Sequence, residues 1–164
     1  MSVLYKSQRI GKGGKEFTIY KFRTLKENSD IYEFVNEDTY TWCGRFLRKT
    51  KLDELPALWN ILKGDMNLFG YRPEEKRTWD MYTQDIKEFL SKHKPGFIDL
   101  SSIHFFNEEK IMQLSNNSKQ VYWERIFPIK MALRSFYFEN KSFPLKVALA
   151  WIVFKKMVKS LFNK

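Results

Sequence analysis

The chain has 164 residues, a one-domain length, and its 43% hydrophobic content is enough to fill one core, which excludes disorder. The single cysteine, Cys43, has no partner within the chain, so a disulfide scaffold is excluded and a reducing compartment fits. Lys and Arg total 29 against 19 acidic residues, a net charge of +10, which points to an anionic partner: nucleic acid, a phosphorylated substrate or an acidic membrane surface.

Val3 to Gln8 and Phe17 to Arg23 read as a β-hairpin joined through Gly11-Lys12-Gly13-Gly14-Lys15. On the second strand Phe17, Ile19, Lys21 and Arg23 share one side, so two cations aim the same way, toward an anion or simply into solvent. Residues 26 to 42 are polar and acidic and read as a mobile loop or lid. Leu52, Leu55, Leu58, Trp59 and Leu62 then recur at helical spacing up to Gly64, a natural stop. Pro56 is tolerated only in a first turn, where its missing N–H has no partner to lose. The helix therefore begins within about four residues before it and carries Asp53 and Glu54 at its start.

Further on, Glu74 to His93 presents Trp79, Tyr82, Ile86, Phe89 and Leu90 on one helical face before a break at Lys94-Pro95-Gly96. Ser118 to Asn140 reads as a long helix kinked or split at Pro128, and Phe143 to Phe162 as a closing helix. The expected class is α+β and α-rich: one domain over residues 1–164, a small N-terminal hairpin and several helices, some amphipathic and interfacial to a membrane. The longest uncharged apolar run near the C-terminus, Val147 to Phe154, is about half of the ~17 residues a crossing helix needs. Trp151, Ile152, Phe154, Val158, Leu161 and Phe162 interleave there with Lys146, Lys155, Lys156 and Lys159. That suits either an interfacial helix on anionic lipid or a core helix with solvated lysines.

Adjacent carboxylates at a helix start are favoured by unpaired amides and the positive end of the helix dipole, by about 0.3–1 kcal/mol each. Ordinary capping explains such a pair when it stands alone. Here Arg45, Arg48, Lys49 and Lys51 precede it and Arg72 follows it, and carboxylates among guanidinium groups can hold a metal ion and a diphosphate together. An ionised aspartate in such a setting can also attack phosphorus. His93 and His104, with no ligand-spaced partners, read as structural or surface residues, and Cys43 as an incidental thiol.

Several motifs in register resemble one family. They are Gln8-Arg9-Ile10-Gly11 with Lys15, then Phe17 through Thr24, the stretch Leu47 through Met66 that contains Asp53-Glu54-Leu55-Pro56, and Gly70-Tyr71-Arg72-Pro73-Glu74. Lys94-Pro95-Gly96 and Tyr137 through Phe143 continue the match. Together they resemble the bacterial sugar transferases, the monotopic polyprenyl-phosphate phosphoglycosyl transferases. The resemblance implies transfer of a sugar 1-phosphate from a nucleotide diphosphate sugar, usually a UDP-sugar, to polyprenyl phosphate. It implies Asp53 as covalent nucleophile and ligand of Mg²⁺, Glu54 as its dyad partner, and Lys21, Arg48, Arg72 and Pro73 as substrate-binding residues.

It further implies action at the cytoplasmic face of the bacterial inner membrane, on an anionic surface, as a homodimer or with a separate membrane-anchor partner. The family's opening re-entrant helix, roughly 30 to 40 residues at about 1.5 Å each, has no counterpart in this sequence. Tyr71 stands where the family usually has proline, which is expected to relax the turn presenting Arg72. The alternative is a non-catalytic relative that binds a membrane surface or a partner. A nucleic-acid binder is disfavoured, because the cations cluster around carboxylates that repel a phosphate backbone.

Overall fold

Strand β1 (Leu4–Ile10) pairs antiparallel with β2 (Glu16–Phe22), with Leu4 opposite Phe22 and Ile10 opposite Glu16. The computed structural model describes residues 2–26, 39–106, 108, 111 and 117–162. Most of the expected acidic loop, 27–38, lies outside the described residues; its flanks are joined by a bond from the Lys26 amide to the Thr39 carbonyl at 2.9 Å.

Helix α1 (Gly44–Thr50) follows, and then the segment that starts around Pro56 as expected. Its first part, Leu52–Ala57, is a 3₁₀ turn, and only Leu58–Leu62 (α2) is α-helical. The apolar stripe exists but faces outward: Leu55, Leu58, Trp59 and Leu62 are all exposed, the last by 79%. Ala57 and Asn60 are buried instead, because a small residue and a hydrogen-bonding one let the hairpin approach closely. Asn60 donates to the Thr18 carbonyl at 2.7 Å and to Asp65 Oδ2 at 3.0 Å, and accepts from the Tyr20 amide at 3.3 Å. Ile19, Ala57 and Met66 form a small core beneath this clamp.

Two three-residue strands that the sequence reading did not anticipate, β3 (Asn67–Phe69) and β4 (Gly96–Ile98), pair in parallel. Their glycines permit the approach, since a Cβ on Gly96 would lie 2.0 Å from the Gly70 nitrogen. The expected helix from Glu74 to His93 is two helices, α3 (Lys76–Asp80) and α4 (Gln84–Ser91), because Thr83 adopts an extended backbone at the start of α4. Its apolar face is as expected: Trp79, Tyr82 and Leu90 join Ile10, Tyr71 and Phe127 in the main core, with Ile86 and Phe89 against it.

After α5 (Leu100–His104), the Ser118–Asn140 region splits as expected. It comprises α6 (Ser118–Val121), a π-helical turn Tyr122–Ile126 and α7 (Phe127–Asn140). Pro128 falls in the first turn of α7, and the wide π turn takes up the bonds it cannot make. The closing helix α8 (Phe143–Phe162) has the expected bounds, with one side packed on the core and the other exposed. Leu149 is buried with Ile103 and Tyr137, while Trp151 and Phe154 are exposed and stacked at 5.7 Å. Lys156 departs from the solvated pattern: it donates to the Ile103 carbonyl at 2.7 Å and lies 4.9 Å from the Phe106 ring centre. Among the described residues no helix is long and apolar enough to cross a membrane. The class is α+β and α-rich, as expected.

Candidate active site

Segments distant in sequence meet around Glu54. The 3₁₀ turn carries Glu54, β2 carries Lys21, the turn after β3 carries Arg72 and Pro73, and β1 contributes Arg9. These side chains bound a cavity of about 20 Å³, room for little more than one water. Arg72 forks the Glu54 carboxylate, with Nη1 to Oε2 at 3.2 Å and Nη2 to Oε1, and Lys21 Nζ reaches Oε1 at 3.2 Å. The Glu54 side chain is only 14% exposed, so it is no solvent-facing cap. Burial by itself would raise its pKa, but the charges of Arg72 and Lys21 outweigh that and hold it well below the usual carboxylate range. Lys21, on the strand face shared with Phe17 and Ile19, answers this internal anion rather than standing on an open hairpin face. Burial and then repulsion from Arg72 lower its pKa, while Glu54 pulls it back.

Asp53 is different. Its Oδ1 is buried and has no hydrogen-bond partner, and its pKa is raised, first by burial and then by the adjacent Glu54 charge. Lys21, Lys51 and Arg48 oppose that rise. Arg48, on α1, therefore acts on Asp53 through its field, whereas Lys21, Glu54, Arg72 and Pro73 line the cavity. Lys51, which joins α1 to the 3₁₀ turn, has a left-handed φ of 60°. Backbone of this kind is costly for any residue with a Cβ and accumulates at functional sites.

The turn presenting Arg72 is not relaxed by Tyr71. The Tyr71 ring is fully buried, meets Phe138 edge-on at 6.4 Å and lies under the Arg134 guanidinium at 5.9 Å. Three of the four residues from Tyr71 to Glu74 are tied to different elements. The Tyr71 carbonyl accepts from the Gly96 amide at 2.8 Å, the Arg72 amide donates to Asp99 Oδ2 at 3.0 Å, and the Glu74 carbonyl accepts from the Ile10 amide at 2.9 Å. Ring burial and hydrogen bonds thus supply the constraint that proline's fixed φ supplies elsewhere.

Asp99 and Arg134, buried charges that brace the turn carrying Arg72, are residues that sequence reasoning missed. Asp99 is 3% exposed and accepts from the Ser101 amide at 2.8 Å, Ser101 Oγ at 2.7 Å and Arg134 Nη2 at 3.5 Å as well as from Arg72. Arg134 also pairs with Glu74 Oε1 at 2.9 Å. The detectable signal was Asp99 two residues before Ser101 at a helix start, a capping pattern. Asp99→Asn turns an all-acceptor carboxylate toward several donors and removes a buried countercharge. It is expected to destabilise the chain by about 3 kcal/mol, measured by denaturant unfolding.

The chain belongs to the bacterial sugar transferase family, whose model matches residues 1–160. It is 38% identical over 100 residues to the UDP-N-acetylgalactosamine-undecaprenyl-phosphate N-acetylgalactosaminephosphotransferase of Aeromonas hydrophila, covering 57% of this chain and 24% of that protein. A putative undecaprenyl-phosphate N-acetylgalactosaminyl 1-phosphate transferase of Bacillus subtilis (strain 168) is 37% identical over 97 residues, covering 57% and 54%. A second Bacillus subtilis protein, the uncharacterized sugar transferase EpsL, is 32% identical over 162 residues, covering 96% and 71%. The chain thus spans about a quarter of the length of the first of these and about half that of the second.

Proposed function

We propose that this chain transfers a sugar 1-phosphate from a nucleotide diphosphate sugar, a UDP-sugar, to a polyprenyl phosphate through a covalent phosphosugar on Asp53. One observation carries the reading: of two adjacent half-buried carboxylates, Glu54 is fully engaged by Arg72 and Lys21, and Asp53 keeps a buried, unpartnered oxygen. An Asp53 carboxylate oxygen attacks the phosphorus that bears the sugar. The P–O bond to the nucleoside monophosphate breaks, and Arg48, Lys21 and Arg72 offset the charge that accumulates. An oxygen of the lipid phosphate then attacks the same phosphorus, the bond to Asp53 breaks and the carboxylate is restored. Glu54 holds Arg72 and Lys21 in place throughout.

Mg²⁺ fits this residue set. Asp53 Oδ1 is a hard oxygen without a partner, and among the described residues no cluster of three His, Cys, Asp or Glu side chains offers an all-protein cage. One carboxylate with donor phosphates and water is the usual Mg²⁺ environment, and the bound ion would neutralise diphosphate charge. The test is to incubate the protein with a UDP-sugar labelled in its sugar-bearing phosphate and Mg²⁺, quench in acid and count protein-bound label. Retained label is expected. A protein that binds the nucleotide sugar yet never acquires label refutes the covalent route.

Arg72→Lys is expected to lower turnover at least tenfold, nearly as far as Arg72→Ala, because an ammonium cannot fork the two oxygens of a carboxylate or phosphate. Steady-state kinetics on folded variants check it.

The reading places the chain on an anionic membrane at the cytoplasmic face through α8. Trp151 and Phe154 are 55% and 56% exposed, and Lys155 lies 5.2 Å from the Trp151 ring centre. Deleting α8 would strip Leu149 from the core, so paired Trp151→Ala and Phe154→Ala changes are the better test. Burying a large apolar side chain gains about 1.5–3 kcal/mol, so co-sedimentation with anionic vesicles should weaken more than tenfold in the double variant and also weaken in high salt.

A further inference from the structure

A second cavity, of about 570 Å³, shares no lining residue with the Glu54 cavity. Its size falls within the range of roughly 300–1,000 Å³ typical of ligand pockets. Five lysines from separate parts of the chain converge on it: Lys12 of the hairpin turn, Lys92 and Lys94 between α4 and β4, Lys141 between α7 and α8, and Lys146 in the first turn of α8. No Asp or Glu lines it, and no carboxylate of the described residues lies within ion-pairing distance of any of the five. Four lysines outside the cleft, Lys21, Lys63, Lys76 and Lys130, do meet an acid within 4 Å. The cleft wall is partly aromatic, with His93 stacked flat on Phe138 at 3.8 Å between ring centres and a 7° tilt. The His93 pKa is lowered by burial first and then by Lys141, Lys92 and Lys12, so three of the five charges are felt at one ring.

Ammonium groups that line one cleft repel one another, and an anion bound among them relieves that repulsion. In the Glu54 cavity the protein supplies that anion. Here no described carboxylate does so, which leaves the five ammonium groups open to an anion from outside. Ammonium groups are compact, multiply donating point charges suited to phosphate oxygens. We propose that this cleft is a second anion site that takes a phosphomonoester or diphosphate group directly on lysines, without a metal ion. The group belongs either to a soluble phosphate compound or to an acidic lipid headgroup, and the chemistry of recognition is the same.

The chain has two histidines, and His104 lies outside the cleft, which gives an internal reference. Histidine-labelled protein is titrated with pyrophosphate at constant ionic strength and followed by NMR. The His93 ring signals should move along a saturable curve while those of His104 stay in place. In a Lys92→Gln/Lys141→Gln double variant, shown to be folded by circular dichroism, the apparent affinity should fall at least tenfold. A parallel arm measures co-sedimentation with phosphatidylcholine vesicles with and without phosphatidic acid. Phosphatidic-acid binding that depends on Lys92 and Lys141, with pyrophosphate weaker, assigns the cleft to a lipid headgroup. Pyrophosphate binding with vesicle binding unchanged in the double variant assigns it to a soluble phosphate. The proposal is overturned if His93 and His104 shift together without saturation, or if the double variant matches wild type toward both probes.

Discussion

Asp53→Asn is expected to lower turnover at least ~1,000-fold and to abolish protein-bound phosphosugar, while raising the thermal midpoint. Both effects follow from the same burial. The carboxylate that attacks phosphorus must be ionised, yet burial and the Glu54 charge raise its pKa above the ordinary aspartate value. A carboxyl whose folded pKa lies above its unfolded one weakens the fold at neutral pH, because ionisation costs more inside than outside. Asparagine removes that charge and its penalty together with the nucleophile. Activity of the wild type should correspondingly decline as pH falls through a value above 3.8, the ordinary aspartate figure. An adduct that persists in Asp53→Asn, or a variant that melts below wild type at neutral pH, contradicts this account.

Glu54→Gln should act in the opposite direction on stability. It leaves Arg72 and Lys21 without their shared countercharge, and breaking a buried pair of this kind costs about 3–5 kcal/mol. The Arg72 side chain is 42% exposed and partly screened, so the expected loss is about 2–3 kcal/mol. The pH dependence is distinctive. Because the folded pKa of Glu54 is depressed, its contribution is complete above the unfolded value of about 4.3 and disappears as pH falls toward the folded one. Unfolding curves of wild type and variant should therefore be well separated at pH 7 and approach each other below about pH 4. Curves separated by the same interval throughout would show that the charge of Glu54 contributes nothing.

Local rules made much of this legible. Pro56 located the start of the helical segment, because a residue without an N–H admits few positions, and α8 emerged with its bounds intact from sustained apolar periodicity. What escaped depended on long-range partners. β3 and β4 are three residues each, too short for alternation to register, and their parallel pairing joins segments about thirty residues apart. The stripe through Leu58 and Leu62 had the right spacing, but spacing does not report which face is covered, and Asn60 on the other face was worth more to the core because its amide satisfies main-chain groups. Lys21, Glu54 and Arg72 were each singled out from the sequence. That Glu54 answers both cations while Asp53 is left free follows only from how the hairpin and the Arg72 turn close over the 3₁₀ segment. Arg134, sixty positions from Glu74, carried no signal in its own neighbourhood.

The clamp at Asn60 bears on how freely the hairpin can change. Both bonds it makes to β2 engage main-chain groups, the Thr18 carbonyl and the Tyr20 amide, and neither depends on which side chain those positions carry. Lys21 follows immediately, so its reach to Glu54 is set by a backbone grip rather than by the packing of its strand neighbours. The outward positions of the hairpin are thereby released from the duty of placing the lysine. Substitutions at Thr18 or Tyr20 can accumulate with little effect on the Lys21–Glu54 contact, while a change at Asn60 alone would loosen the whole strand at once.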